Sequence, residues 1–114
     1  MSEAEVLNTI NTMLERFKTE KNQKRFRKWN KTMAFTITDL EKTWVTVIEE
    51  GVPGELEEKD PETDLIKADI WVKIDSATWK GIIDGTESAM NAYTKGKIKI
   101  KGKMTDLLKM QKLM

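Results

Sequence analysis

The stretch KGKIKIKGK, residues 95–103, carries five lysines in nine positions, and their ammonium groups could bind phosphate. If the stretch forms a half-buried strand, alternation sends Ile98 and Ile100 inward and the lysines around them outward. The favoured interpretation is a solvated strand face, on which lysines also discourage aggregation between sheet edges. The alternatives are binding to an anionic membrane surface or to nucleic acid. This face offers no aromatic side chain for base stacking, so the membrane surface is the better of these two.

Other residue types exclude most kinds of catalysis. The chain has no cysteine and no histidine, which excludes disulfides, thiolate or imidazole metal sites, and nucleophiles activated by histidine. No glycine-rich phosphate-binding motif is present, and residues 60–64, DPETD, lack the glycine and terminal glutamate of a calcium loop. Carboxylates are plentiful, yet no pattern singles out a catalytic pair. We therefore expect a protein that is not an enzyme and needs no cofactor.

Length and charge narrow the class of protein further. A chain of 114 residues predicts a single domain over residues 1–114. The net charge of +1 gives no general argument for a nucleic-acid partner, although residues 16–31 and 93–114 are basic and residues 49–64 are acidic. The acidic N-terminus is unlike a secretory signal, and no apolar run approaches the roughly 20 residues that span a bilayer. We expect a soluble, cytoplasmic protein.

The first half of the chain predicts helices followed by a hairpin. Ser2 and Glu5 form a capping-box pair, so a helix should begin there, and apolar residues recur at helical spacing through Phe17. A second short helix is expected to carry Phe26 and Trp29. The next elements are predicted to be a strand Thr32–Thr38, a turn 39–42, a strand Thr43–Ile48, and a loop 49–64 with at most one short extended piece.

The second half predicts strands that alternate with helices. The expected elements are a strand Leu65–Ile74, a helix capped by Asp75 or Ser76 that runs through Asp84 and is ended by Gly85, a helix capped by Thr86 and ended by Gly96, a strand Lys97–Lys101, and a helix that begins at or near Thr105. This order predicts an α+β fold, in which a mainly antiparallel sheet of about five strands is covered by helices.

Apolar residues dominate the last third of the chain, where four of the seven methionines lie at or after position 90. Methionine has a flexible, polarizable side chain that suits adaptable apolar surfaces, and it also fills gaps in ordinary cores. The composition alone slightly favours a core that uses methionine as filler over an apolar ligand site.

The order of residues in this region adds a family resemblance. Residues 79–114 resemble the sterol carrier protein 2 (SCP-2) sterol-transfer domain family, whose hallmark is a helix, a short run followed by a strand of the type found at Ala92–Met104, AYTKGKIKIKGKM, and a helix rich in Met and Leu. Trp29–Thr38 is similar to the family's first strand, and Ala68–Trp79 to its strand that enters a helix. The resemblance implies an apolar tunnel that carries a fatty acid, a fatty acyl-CoA, a sterol or an isoprenoid-like lipid without covalent chemistry.

The resemblance also implies which residues contact the lipid. Since the family's C-terminal helix helps to close the tunnel, the expected lining and wall residues are Ile82, Ile83, Met90, Ile98, Ile100, Met104, Leu107, Leu108, Met110 and Gln111. Gln111 is equally consistent with a headgroup contact and with an ordinary surface position. The outward lysines would attract anionic membranes transiently, or the phosphates of an acyl-CoA.

Two other functions stay open. An accessory domain that supports a lipid-metabolising enzyme or complex would keep the same fold without a ligand of its own. A nucleic-acid binder would depend on the basic stretches 16–31 and 95–103, and we expect no nucleic-acid partner. Lipid binding and transfer is the first of the three.

Overall fold

The computed structural model describes residues 2–60 and 67–114, which form a sheet whose inward face packs against helices. In chain order the elements are α1 (Glu3–Glu15), a 3₁₀ turn (Arg16–Lys18), α2 (Glu20–Phe26), β1 (Lys31–Ile37), β2 (Lys42–Glu49), β3 (Val52–Pro53), β4 (Glu57–Lys59), β5 (Ile70–Ile74), α3 (Ser76–Asp84), α4 (Ala89–Thr94), β6 (Ile98–Lys101), α5 (Met104–Met110) and a second 3₁₀ turn (Gln111–Leu113).

The first helix begins where its capping residues predict. The Ser2 Oγ accepts a hydrogen bond from the Glu5 backbone N–H at 3.2 Å and donates one to the Glu5 carboxylate at 3.1 Å. These bonds satisfy a backbone donor that the first turn would otherwise leave unpaired. The apolar stripe then faces the core, with Val6 and Ile10 fully buried. Thr19 caps α2 in the same way, through the Asn22 N–H.

The sheet has the strand order β3–β2–β1–β5–β6, and β4 also pairs with β2. Strands β1 and β2 form the predicted antiparallel hairpin, with Phe35 opposite Trp44. Strands β1 and β5 pair in parallel, with Met33 opposite Ile70, while β5 and β6 are antiparallel. The predicted α+β class with a mainly antiparallel sheet is therefore confirmed. One consequence of the order is that β6 lies at an edge of the sheet.

The core lies between the inward face of the sheet and the helices. Phe17, Phe26 and Trp29 form an aromatic cluster with ring centroids 5.1 to 6.1 Å apart. Phe35 of β1 packs against Trp79 of α3 with a centroid separation of 5.7 Å. Aromatic pairs at such separations add a specific attraction to the burial of apolar area. This packing holds α3 and the N-terminal helices against the sheet.

Two predictions before α3 need correction. The strand predicted over 65–74 begins only at Ile70. The Asp69 carboxylate accepts a hydrogen bond of 2.9 Å from the Thr32 N–H, so regular strand pairing starts one residue later. Leu65 and Ile66 lie outside the described residues. The acidic segment 49–64 holds two short strands, β3 and β4, where one extended piece was expected. Its last residues, 61–64, also lie outside the described part.

Two helix boundaries also differ from the predictions. Thr86 does not cap α4, because the N–H groups of residues 86 and 87 both donate to the Gly81 carbonyl and still complete the end of α3. The cap is Ser88, whose Oγ accepts from the Asn91 N–H. The predicted second helix ends at Phe26, so Trp29 lies three residues beyond it. The last helix begins at Met104, close to the predicted start.

Candidate functional site

An open groove of about 230 Å³ lies where α4, the edge strand β6 and α5 meet. Its lining is apolar apart from the hydroxyl group of a tyrosine and the amide group of a glutamine. The lining residues are Ala89, Met90, Tyr93, Ile100, Met104, Leu107, Leu108, Met110, Gln111 and Met114.

Local spacing explains why these side chains meet. In α5, Met104 and Leu108 are four residues apart and therefore share one face of the helix. In α4, Ala89 and Tyr93 have the same spacing. Strand alternation turns Ile100 to the inward side of β6, where it adjoins both helices. Three short elements thus contribute one apolar face each to the same groove.

Most of the residues implied by the resemblance come together here. Ile82 borders a neighbouring depression that shares four residues with the groove. Two other residues are not brought to the groove: Ile83 faces α1, and Ile98 is buried in the core at 2% exposure. The seven implied residues that line the groove are Met90, Ile100, Met104, Leu107, Leu108, Met110 and Gln111.

Three lining residues were not among the predicted site residues: Ala89, Tyr93 and Met114. A helical signal for two of them was present, because Ala89 and Tyr93 flank the predicted Met90 at positions that share a face with one another. Met114 also had such a signal, because it follows the predicted Met110 by four residues, although residues 111–113 form a 3₁₀ turn in place of a continued α-helix.

The groove carries an unusual amount of exposed apolar surface. Met90 and Tyr93 are each 57% exposed, Leu108 is 55% exposed and Met104 is 69% exposed. These are four of the six large apolar side chains that are exposed in the described part of the chain. Contiguous exposed apolar surface in a folded protein commonly marks a binding site for a ligand, a protein or a membrane.

Asp106 anchors α5 beneath this surface. Its carboxylate lies 3.2 Å from the Lys31 ammonium of β1 and accepts a hydrogen bond of 3.4 Å from the Trp29 indole N–H. Asp106 is only 6% exposed, so the ion pair is shielded from water. The anchor therefore ties the first turn of α5 to the sheet and to the aromatic cluster.

A second set of contacts holds the 3₁₀ turn that follows α5 in place. The Arg16 guanidinium donates to the Leu113 carbonyl at 2.8 Å and to the Ile83 carbonyl at 2.9 Å. The Leu113 and Met110 side chains are both buried in the core. Together with Asp106, these contacts hold α5 in a position where its exposed side forms one wall of the groove.

The charge around the groove is positive. Four exposed lysines lie within two positions of the lining residues on α4, α5 and the last 3₁₀ turn, and within residues 2–60 and 67–114 none of them has a carboxylate within 4.0 Å. They are Lys95, Lys103, Lys109 and Lys112. The one acid in this region, Asp106, is already paired with Lys31. An anionic group at the mouth of the groove would therefore meet attraction from several sides.

The two polar side chains of the groove are available to a ligand. In the described part of the chain, neither the Tyr93 hydroxyl nor the Gln111 amide has a hydrogen-bond partner. Both residues are exposed, so water satisfies these groups in the free protein. An enclosed apolar tunnel is not seen among the described residues, and seven of the ten residues that the resemblance implies line an open groove instead.

Solved structures show the same fold. A crystal structure of sterol carrier protein 2 has a TM-score of 0.65 and 16% identity, and the match covers 93% of this chain and 86% of that chain. Sterol Carrier Protein 2 Like 2 from Aedes aegypti has a TM-score of 0.63 and 15% identity, with 96% of this chain and 99% of that chain covered. At these identities the likeness establishes the fold alone.

The fold also occurs within a larger chain. The stereoselective inverting sec-alkylsulfatase Pisa1 from Pseudomonas sp. matches with a TM-score of 0.62 and 21% identity over 81% of this chain. The match covers only 14% of the sulfatase, so this chain corresponds to a small part of that enzyme.

Two further findings concern the sequence itself. Among the described residues, no helix has the length and apolar character that crossing a membrane requires. No curated protein sequence matches this chain significantly. The sequence model of the SCP-2 sterol transfer family, however, matches residues 10–114, which is nearly the whole chain. The chain therefore belongs to the SCP-2 sterol transfer family.

Proposed function

We propose that this chain binds a lipid through the groove between α4, β6 and α5 and transfers it without covalent chemistry. The observation that carries the proposal is the grouping of Met90, Tyr93, Met104 and Leu108, which are all more than half exposed, on one groove of a protein in a lipid-transfer family. A hydrocarbon chain laid against these side chains removes apolar area of both partners from water, which drives association.

The polar groups suggest how the lipid is oriented. We place its polar end near the Tyr93 hydroxyl and the Gln111 amide, which have free hydrogen-bonding capacity at the groove. A fatty acid, a fatty acyl-CoA, a sterol and an isoprenoid-like lipid all combine a long apolar body with a polar end. Apolar walls discriminate weakly among such bodies, so selection among them depends on these two polar side chains.

The size of the groove implies that it opens further. Its 230 Å³ is below the range of roughly 300–1,000 Å³ that is typical of pockets which bury a small molecule. A whole lipid therefore requires α5 to move away from α4, and the tunnel implied by the family resemblance would form by this movement. The tunnel remains a prediction.

The surroundings of the groove suit transient contact with an anionic membrane. Exposed apolar side chains at its mouth can enter the headgroup region, while the neighbouring lysines attract anionic lipids. Such contact would let a lipid pass from bilayer to groove without crossing water. The cytoplasmic location stays a prediction.

A displacement titration tests the lipid proposal. A fluorescent fatty acid should bind saturably and be displaced by oleate. Leu108→Gln should weaken its binding about tenfold, because a polar amide replaces apolar contact area. Val52→Gln is the matched control, since Val52 is 61% exposed but lies on β3, away from the groove. Absence of saturable binding to the wild-type chain would contradict the proposal, and so would an equal loss of affinity in the two variants.

An accessory role is the second candidate. It is favoured by the match to a region that makes up only 14% of a sulfatase chain, because the fold there is one part of a larger enzyme. In this role the chain would support a lipid-metabolising enzyme or complex. A stable protein partner, isolated together with a chain that takes up no lipid, would place this role first.

A further inference from the structure

A second depression, which is lined by charged side chains and differs in this from the apolar groove, lies on the strands β5 and β6. It has a volume of about 240 Å³ and is lined by Trp71, Lys73, Lys99, Ile100 and Lys101. The three lysine side chains are exposed, and the indole ring of Trp71 is half-buried. The depression thus offers one flat aromatic surface and three ammonium groups within a single concave site.

The Trp71 ring is held in a fixed orientation. Its indole N–H donates to the Thr36 hydroxyl at 2.7 Å, and that hydroxyl is 2.7 Å from the hydroxyl of Thr43 on the next strand. The Lys73 ammonium lies 4.3 Å from the ring centroid, a cation–π contact. A ring that is fixed before binding loses little conformational freedom when a ligand stacks on it.

The lysines are placed where they repel one another. Lys73 is directly opposite Lys99 in the β5–β6 pairing, and Lys101 is directly opposite Trp71. In the described part of the chain, no carboxylate lies within 4.0 Å of any of these three ammonium groups. Like charges directly opposite each other destabilise a sheet. An anion bound between them would remove this repulsion.

Protection of a sheet edge does not explain the arrangement. Lysines on an edge strand hinder pairing with other chains, which accounts for those on β6. Lys73 and Trp71, however, belong to β5, which lies between β1 and β6 and has no free edge. Edge protection therefore does not account for these two residues.

We infer that this depression binds a planar ring that carries phosphate groups, that is, a nucleotide. The heterocycle stacks on the Trp71 indole, and the flexible Lys73 side chain moves from the ring to the phosphates. Lys99 and Lys101 contact the phosphates from the neighbouring strand. The site takes a single nucleotide because it contains one aromatic surface. It is distinct from the lipid groove, although Ile100 borders both.

The test is a titration of the wild-type chain with ADP, followed by NMR of the tryptophan indole N–H groups. The Trp71 signal should shift more than those of the other three tryptophans, and ADP should bind about tenfold more tightly than pyrophosphate, which lacks the ring. Equal affinity for ADP and pyrophosphate, or an unmoved Trp71 signal, would overturn the inference. So would a single-stranded oligonucleotide that binds at least a hundredfold more tightly than ADP.

Surface variants keep the test independent of folding. Lys99→Gln and Lys73→Gln should each weaken ADP binding about tenfold, because each removes a charge that contacts phosphate. Lys21→Gln, an exposed lysine of α2, is the matched control and should leave ADP binding within about twofold. An equal loss in the control would contradict the site. Displacement of the fluorescent fatty acid should be unchanged in all three variants, so failure of this inference is separate from failure of the lipid proposal.

Discussion

Asp106 has two structural roles that the lysines and apolar residues around it cannot fill. It is the one acidic side chain in residues 93–114, and the fold buries it against Lys31 and Trp29. Its carboxylate compensates the partly buried positive charge of Lys31 and accepts the Trp29 indole hydrogen bond, so both partners depend on it. Asp106 therefore helps to hold α5, and with it one wall of the groove, in addition to the Arg16 hydrogen bonds and the buried Met110 and Leu113 side chains.

Replacement of Asp106 should therefore be costly. Asp106→Asn should lower the free energy of unfolding by about 1–3 kcal/mol, because it leaves the shielded Lys31 ammonium without its counter-charge. Urea unfolding measures the change. Glu15→Gln removes the exposed ion pair with Lys18 and should cost less than about 1 kcal/mol. A loss from Asp106→Asn as small as that from Glu15→Gln would show that α5 is held by apolar packing alone.

Asp39 gives the fold a dependence on acid. The Ser76 hydroxyl and backbone N–H both donate to its carboxylate, at 2.5 and 2.8 Å. The hydrogen bond from the Ser76 side chain is the main cause that lowers the pKa of Asp39 below its usual 3.8. Because the folded-state pKa is depressed, Asp39 stabilises the fold above pH 3.8, and this contribution is lost as the pH falls through the lower folded value.

Asp39→Asn should thus flatten the fall in stability between about pH 5 and pH 2, measured by urea unfolding at several pH values. Ser76→Ala should produce a similar flattening, and the two substitutions together should have less than the sum of their separate effects. Additive effects at every pH would mean that the Asp39–Ser76 hydrogen bond does not carry the acid dependence.

At the scale of the elements, the sequence predicts the strands whose residues alternate and the helices that begin at a capping residue. It misses the boundaries and contacts that depend on neighbouring elements. Ser2 identified the start of α1, and Phe35 and Trp44 lie in the predicted hairpin. Thr86 resembled a cap in the sequence, but its N–H completes α3 through Gly81, and only the folded chain shows this. Ile98 and Ile83 were expected in the site because the family resemblance implies them as wall residues, yet the packing of β6 and α3 uses them elsewhere.

The same limit explains the second depression. Within β6 alone, the outward face offers lysines and no aromatic side chain. The register of β5 with β6 places Trp71 opposite Lys101, and no pattern within either strand predicts that pairing. Contacts between elements therefore define sites that the residues of a single element do not reveal.

The helix α5 should open more readily than α3. It has seven residues, no side-chain cap at Lys103, and only a few buried side chains, whereas helices of this length are marginal without tertiary support. Backbone amides of residues 104–110 should exchange with deuterium faster than those of α3, and added oleate should slow them. Exchange in α5 as slow as in α3, unchanged by oleate, would contradict opening of the groove at this helix.

At the scale of the whole molecule, positive and negative charges lie in different regions, although the net charge is near zero. The basic C-terminal region surrounds the groove, and the acidic residues of β4 lie on the strand that pairs with β2, toward the opposite edge of the sheet. The molecule should therefore approach an anionic surface with the groove foremost, by an attraction that salt weakens.

Vesicle sedimentation tests this orientation. Binding to vesicles with anionic lipid should exceed binding to neutral vesicles and should decline as salt is raised. Lys103→Gln combined with Lys112→Gln should weaken binding about fivefold or more, since each lysine near an anionic surface contributes about 1 kcal/mol. Lys21→Gln combined with Lys24→Gln, an equal change of charge on α2, should have a smaller effect. Equal losses in the two double variants would rule out a preferred face.

The most direct test of the lipid site is a titration of methyl-labelled methionine residues with oleate, observed by NMR. The groove contains Met90, Met104, Met110 and Met114, while Met13 and Met33 are buried in the core, so the chain carries its own control. Binding in the groove predicts that the signals of the four groove methionines shift together and saturate, while those of Met13 and Met33 move least. No shift at all, or the largest shifts at Met13 and Met33, would contradict a lipid site between α4, β6 and α5.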